Sequence, residues 1–122
     1  MNEAEFLNLN TELPDTEFQF KQFGEKSETF VIGLHGWTGD EHSLIPISMG
    51  VMLHNSLWIF PRAPFNARQI PKGYSWFDRK PKSKMEVLET VHIIMKIVDS
   101  IHDRMGKNVR IFLLGFSQGA TL

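Results

Sequence analysis

Val109-Arg110-Ile111-Phe112-Leu113-Leu114-Gly115-Phe116-Ser117-Gln118-Gly119 is the stretch that decides the reading of this 122-residue chain. Its first six residues are mostly apolar, as expected of a buried strand, and the next five spell Gly-x-Ser-x-Gly. A strand that must turn sharply into a helix holds the residue at the bend in a strained backbone conformation. Glycines on either side of that residue remove the side chains that would clash as strand and helix pass. The serine hydroxyl is then exposed above the sheet, and the Gln118 backbone N–H is aimed at the same space. The bare pattern arises by chance in roughly one chain in twenty-five of this length. The apolar strand directly ahead of it is therefore what gives it weight.

Working back from that turn, residues 84–105 read as the clearest helix. Ser83 and Glu86 have the spacing of a capping box, and Val87, Val91, Ile94, Val98, Ile101 and Met105 form one stripe at helical spacing. Gly106 suits the left-handed position just past the helix end. Residues 61–82 carry four prolines and no period, so they read as a long loop. Ser56 to Phe60 is a short apolar strand ended by Pro61, and residues 43–53 suit a helix with Pro46 in its first turn. Residues 29–35 are nearly all apolar, the pattern of a central strand covered on both faces. Residues 17–23 largely alternate apolar and polar, as in a strand with one wet face. Strands alternating with helices predict an α/β fold, a mostly parallel sheet flanked by helices.

Composition narrows the classes further. Hydrophobic residues make up 42% and charged residues 22% of the chain, ordinary values for a soluble globular protein. The length suits one domain at most. A net charge of −1 gives no electrostatic reason to expect nucleic acid or an anionic membrane as partner. There are no cysteines, which excludes disulfides, thiolate catalysis and cysteine-zinc sites and suits a cytoplasmic location. The first residues lack the basic start and apolar run of a signal peptide. The longest apolar stretch, Val87 to Ile101, is interrupted by Glu89, His92, Lys96 and Asp99, so no membrane span is expected. His42, His54, His92 and His102 show no metal-ligand spacing. There is no Gly-x-Gly-x-x-Gly or Gly-Lys-Ser/Thr phosphate loop to suggest a nucleotide.

Two further segments join the serine turn. Val31-Ile32-Gly33-Leu34-His35-Gly36-Trp37-Thr38-Gly39-Asp40 resembles the strand and His-Gly loop that supplies the second oxyanion donor in α/β-hydrolases. Trp58-Ile59-Phe60-Pro61-Arg62-Ala63-Pro64, followed by Gly73-Tyr74-Ser75-Trp76-Phe77-Asp78, resembles the middle of the phospholipase/carboxylesterase family, which includes acyl-protein thioesterase-like enzymes. With Leu114 to Ala120 the three segments follow that family's order, and the resemblance covers about residues 29–122. It implies residues 1–122 as a single incomplete α/β-hydrolase domain, a truncated form of the fold. It also implies a carboxylic-ester or thioester hydrolase acting through a serine nucleophile and an acyl-enzyme, with no cofactor and no metal.

Carried over by position, Ser117 would be the nucleophile, and Trp37 and Gln118 would offer backbone N–H groups to the oxyanion. Trp76 and Phe77 would line the substrate cleft, although aromatic residues at such positions also serve as packing. In the family the acid and the histidine base follow the serine, and here only Gln118 to Leu122 do. A catalytically silent remnant or binding module is therefore the second reading. A local Ser117–His35 dyad is a substitute to weigh, because His35 ends a strand expected beside the serine strand. The serine strand should also present an apolar, unpaired outer edge, so self-association or dependence on a missing carboxy-terminal segment is expected.

Overall fold

The protein is described here from a computed structural model, which describes residues 7–67, 73–77 and 84–121. A short helix α1 (Leu9–Glu12) leads into strands β1 (Phe18–Phe23) and β2 (Thr29–Leu34). Helix α2 (Ile45–Val51) and strand β3 (Ser56–Pro61) follow, then a two-residue ladder of β4 (Phe65–Asn66) with β5 (Tyr74–Ser75). The long helix α3 (Lys84–Met105) returns the chain to β6 (Arg110–Gly115), which runs into a 3-10 turn over Ser117–Thr121.

The main sheet has the order β1-β3-β2-β6. β2 is parallel to both of its neighbours, with Val31 opposite Trp58 on one side and Phe112 on the other, while β1 runs antiparallel to β3. The fold is thus α/β with a mostly parallel sheet, as its alternating pattern predicts. The all-apolar runs of β2 and β3 occupy its two interior places, where five of six and all six residues are buried. β1 takes an edge and is mostly half-buried, in keeping with its alternating sequence.

Side-chain alternation divides the core between the two faces. Phe30, Ile32 and Leu34 of β2 join Leu57 and Ile59 of β3 under α3 and α1, with Ile93, Ile94, Ile97 and Ile101 packed on them. Val31, Trp58 and Phe60 point the other way, toward Leu44 and Ile45 at the start of α2. The two helical crossovers therefore cover opposite faces. β2 is the point where the connections diverge, to β3 on one side and β6 on the other, and ligands of open α/β sheets bind outside the carboxyl ends of strands at such a point.

Four local expectations need amendment. The core stripe of α3 is rotated from the predicted one. Thr90, Ile93, Ile94, Ile97 and Ile101 face the sheet, whereas Val91 is exposed together with Leu88 and Met95. The helix is apolar over a wide arc, and the sequence period could not say which part of it the sheet would cover. Residues 61–82 are not loop throughout, since the β4–β5 ladder falls within them. Helix α2 is shorter than residues 43–53, with Pro46 in its first turn as expected. The amino-terminal helix was not anticipated, although Leu7, Leu9 and Leu13 are all buried in the main core. Gly106 does take a left-handed conformation, with φ of 85°. Ser83 and Asp78 lie outside the described residues.

β6 is the other edge of the sheet. Phe112 is 54% exposed and Leu113 57% exposed, one on each face, and among the described residues nothing pairs with the strand's outer side.

The rotated helix face gives a direct test. Ile97 is fully buried, so Ile97→Ala should cost about 2–5 kcal/mol of unfolding free energy. Leu88→Ala, on the exposed part of the arc, should stay within about 0.5 kcal/mol of the parent. Urea unfolding of the two variants checks both.

Candidate active site

The carboxyl ends of β2 and β6 lie side by side, with Leu34 opposite Gly115. Each chain leaves the sheet at this level. The Phe116 N–H donates to the Leu34 carbonyl at 3.1 Å, and the Gly119 N–H closes the turn onto the Phe116 carbonyl at 3.0 Å. Ser117 sits between them with φ of 53°, a left-handed value that few non-glycine residues adopt, and is exposed. The glycines have the function assigned to them from sequence. A side chain on Gly119 would fall on the Leu34 carbonyl oxygen, and a Cβ on Gly115 would lie 2.6 Å from the Ala120 backbone.

The 36–39 loop packs against the serine turn. A Cβ built on Gly36 would sit 3.3 Å from the Phe116 carbonyl oxygen and 3.4 Å from Ser117 Cβ. Trp37 and Ser117 thus belong to neighbouring turns. Between this loop, the start of α2 and the Phe116 ring lies a cleft of about 260 Å³, walled by Trp37, Thr38, Leu44, Ile47 and Phe116 among others. Its lining is largely apolar, with the Thr38 and Ser43 hydroxyls at hand.

The loop itself is held on all sides. The Thr38 N–H donates to the Tyr74 carbonyl and the Tyr74 N–H to the Gly39 carbonyl, both at 3.0 Å, which ties it to β5. Thr38 has φ of 73°, strained for a β-branched residue. Gly73 lies so close that a Cβ there would be 2.6 Å from Thr38 Cα. Asp40 Oδ1 accepts from the His42 N–H at 2.8 Å, and the Asp40 N–H donates to Ser43 Oγ at 2.9 Å. Arg62 makes a bidentate pair with Glu41, at 2.8 Å from Nε and 2.6 Å from the terminal nitrogen.

His35 is buried, and both of its ring nitrogens are engaged. The Ala63 N–H donates to Nε2 at 3.0 Å, so Nε2 is the acceptor and Nδ1 carries the proton, which it donates to the Gly36 carbonyl at 2.7 Å. A Ser117–His35 dyad is thereby overturned. The lone pair that would take the serine proton already accepts a backbone hydrogen bond. Burial pushes the imidazole below its ordinary pKa, against the opposing effects of the Gly36 hydrogen bond and of the Asp40 and Glu41 carboxylates.

The substrate-cleft assignment of Trp76 also needs correction. The residue is fully buried and has no face on the cleft. Its indole N–H donates to the His35 carbonyl at 2.8 Å, and its ring lies against the imidazole with centroids 4.9 Å apart. Its backbone N–H donates to Gln118 Oε1 at 2.9 Å, and its carbonyl accepts from Thr90 Oγ1 at 2.6 Å. It is a strut joining β2, the serine turn and α3. Phe77 is half-buried against the main core and does not border the cleft either. Gln118, whose backbone N–H drew attention in the sequence, also works through its side chain. Nε2 donates to the Phe77 carbonyl at 2.9 Å, and Ser75 Oγ lies 3.3 Å from Oε1 and 3.2 Å from Nε2. Sequence reading missed this amide, Ser75 and the Glu41–Arg62 pair. The pair is 21 residues apart, a spacing no motif marks.

Known proteins resemble this chain in sequence and in fold. The sequence model of the phospholipase/carboxylesterase family matches residues 17–122. The chain belongs to that family. Carboxylesterase SOBER1 of Arabidopsis thaliana is 31% identical over 110 residues, covering 79% of this chain and 48% of the relative. The solved structure of esterase PE8 matches 87% of this chain and 54% of its own, with a TM-score of 0.71 at 21% identity. The structure of YahD with malic acid matches 86% and 53%, with a TM-score of 0.57 at 20% identity. These two likenesses establish the fold. The chain spans about half the length of each of these relatives. The family is one of carboxylesterase/phospholipase-like hydrolases, and no described helix of this chain is long and apolar enough to cross a membrane.

The lowered His35 pKa sets a direction for stability against pH. The unfolded chain binds a proton at this position more readily than the folded one, so stability is fully present above the ordinary imidazole value of 6.5. It is lost as pH falls below that value and through the folded one. The urea midpoint should therefore drop between pH 7.5 and pH 5, and His35→Phe should flatten that drop; an equal slope in the variant would show that His35 is not its source.

Proposed function

We propose that Ser117 is the nucleophile of a carboxylic-ester or thioester hydrolase. Its hydroxyl attacks the substrate carbonyl, the leaving alcohol or thiol departs, and water then hydrolyses the acyl-enzyme. The backbone N–H groups of Trp37 and Gln118 receive the oxyanion, and each such donor is typically worth about 2.7–4 kcal/mol in the transition state. The acyl group lies in the cleft walled by Leu44, Ile47 and Phe116. The observation that carries this reading is the left-handed, exposed Ser117 set against the 36–39 loop at the end of the sheet.

The engaged His35 favours a second reading for the chain taken by itself, a catalytically silent site that binds but scarcely turns over, in which Ser117 reacts only slowly even with a strong electrophile. A serine hydroxyl needs a base, and in one well-studied protease losing the histidine cost about 10⁶-fold in turnover. A fluorophosphonate probe should label Ser117, mapped by mass spectrometry, and Ser117→Ala should abolish that label. Hydrolysis of p-nitrophenyl butyrate by the chain should stay close to the Ser117→Ala background. Labelling spread over other serines with none at Ser117 sinks the nucleophile assignment.

The open β6 edge supports self-association of this chain through that strand, with Phe112 and Leu113 as the apolar contacts. Leu113→Lys should shift light scattering toward the monomer, because a charge on an edge opposes strand pairing. A parent that is a monodisperse monomer at high protein concentration counts against it.

A further inference from the structure

The two residues that follow β3 fasten the two ends of the 35–41 loop. The Ala63 N–H holds His35 Nε2 at 3.0 Å, and Arg62 holds the Glu41 carboxylate through two nitrogens. Arg62 also lies over the Tyr74 ring at 4.4 Å. Tyr74 is the residue whose backbone is hydrogen-bonded to Thr38 and Gly39 on both sides. One guanidinium thus touches the far end of the loop and the segment that clamps its middle. The Glu41 side chain is only 4% exposed and that of Arg62 32%. An ion pair buried on one side in this way is weak support for stability, because desolvation offsets much of its attraction, but it can select one arrangement over others. The arrangement at stake is a turn strained at Thr38, next to Trp37.

We propose that Arg62, through Glu41 and Tyr74, is a positioning residue that fixes the Trp37 backbone donor against Ser117. This rests on the hydrolase reading above. Arg62 does not touch the reacting atoms; it acts by denying the loop other conformations. A planar, bidentate guanidinium suits that task better than an ammonium, since it fixes orientation as well as distance. Lysine in its place keeps the charge and loses the fork.

Two measurements on Arg62→Lys, Arg62→Met and Glu41→Gln test the proposal. Amide hydrogen exchange at Thr38 and Gly39 should quicken tenfold or more, while Ile59 in the middle of the sheet keeps its protection. Fluorophosphonate labelling of Ser117 should slow on the order of tenfold in its saturated rate, a partial loss of a donor whose removal costs about 10²–10³. The probe concentration for half-maximal rate and the final extent of labelling should not change. A purely structural role would lower the extent through unfolded molecules and leave the saturated rate alone. Should the single variants fail to fold, Glu41→Met with Arg62→Met removes both charges together and carries the same two measurements. Wild-type chain that does not label at Ser117 overturns the hydrolase reading and this inference with it. A labelled wild type whose saturated rate and Thr38 exchange are matched by the Arg62 variants overturns this inference alone.

Discussion

Backbone packs directly on backbone where β2 and β6 end, and the rest of the site depends on that contact. Gly119 leaves no room for a side chain above the Leu34 carbonyl, and Gly115 none beside Ala120. Parallel pairing of β2 and β6 sets the two exits at the same height, with Leu34 opposite Gly115. The close approach then brings the serine turn down onto the 36–39 loop. A Cβ at Gly119 would push the two turns apart and one at Gly115 would open the serine turn itself, and a displacement of an ångström is enough to cost a catalytic arrangement about 10²-fold. Left-handed backbone at Ser117 and Thr38 accompanies close packing at both turns, Thr38 lying against Gly73. Each costs on the order of 1–3 kcal/mol and persists only because surrounding hydrogen bonds leave no alternative.

Those surrounding bonds come from unexpected places. Trp76 joins the His35 carbonyl, the Gln118 amide and Thr90 of α3 through three different polar groups, all in the fully buried interior. A buried indole N–H needs a partner, and the strand ends offer carbonyls that no ladder hydrogen bond satisfies. The aromatic residue near the serine is therefore a support for the turn. The Gln118 side chain does the same for Ser75 and Phe77. The amide that follows the serine in sequence thus grips the 75–77 segment while its backbone belongs to the serine turn.

Much of this was legible in the sequence, and the failures share a cause. The central strands, the serine turn with its two glycines and Pro46 in the first turn of α2 all follow from local pattern, because each depends on neighbours a few residues away. The covered face of α3 does not. Its apolar residues span most of the helix circumference, and only the position of the sheet decides that Ile97 is buried while Met95 is exposed. Trp76 was read as a cleft residue because a motif gives proximity to the site without direction. His35 was weighed as a base for the same reason, and its two hydrogen bonds, one of them to Ala63, settle the matter. The Glu41–Arg62 pair joins two loops whose nearness exists only after β2 and β3 have paired.

The polar side chains around the serine turn are turned inward, and this division bears on the chemistry. His35, Glu41, Ser75 and Gln118 are buried and have hydrogen-bonding groups engaged with loop or strand-end partners. Freeing any of them to act on a substrate would leave a buried polar group unsatisfied, at about 1–3 kcal/mol. The scaffold residues therefore hold the turns, while the cleft is faced by the 36–39 loop, Ser43 and apolar walls. If Ser117 acts as the proposed nucleophile, its proton acceptor has to come from outside that set, because the residues that build the bend are the ones least able to leave it.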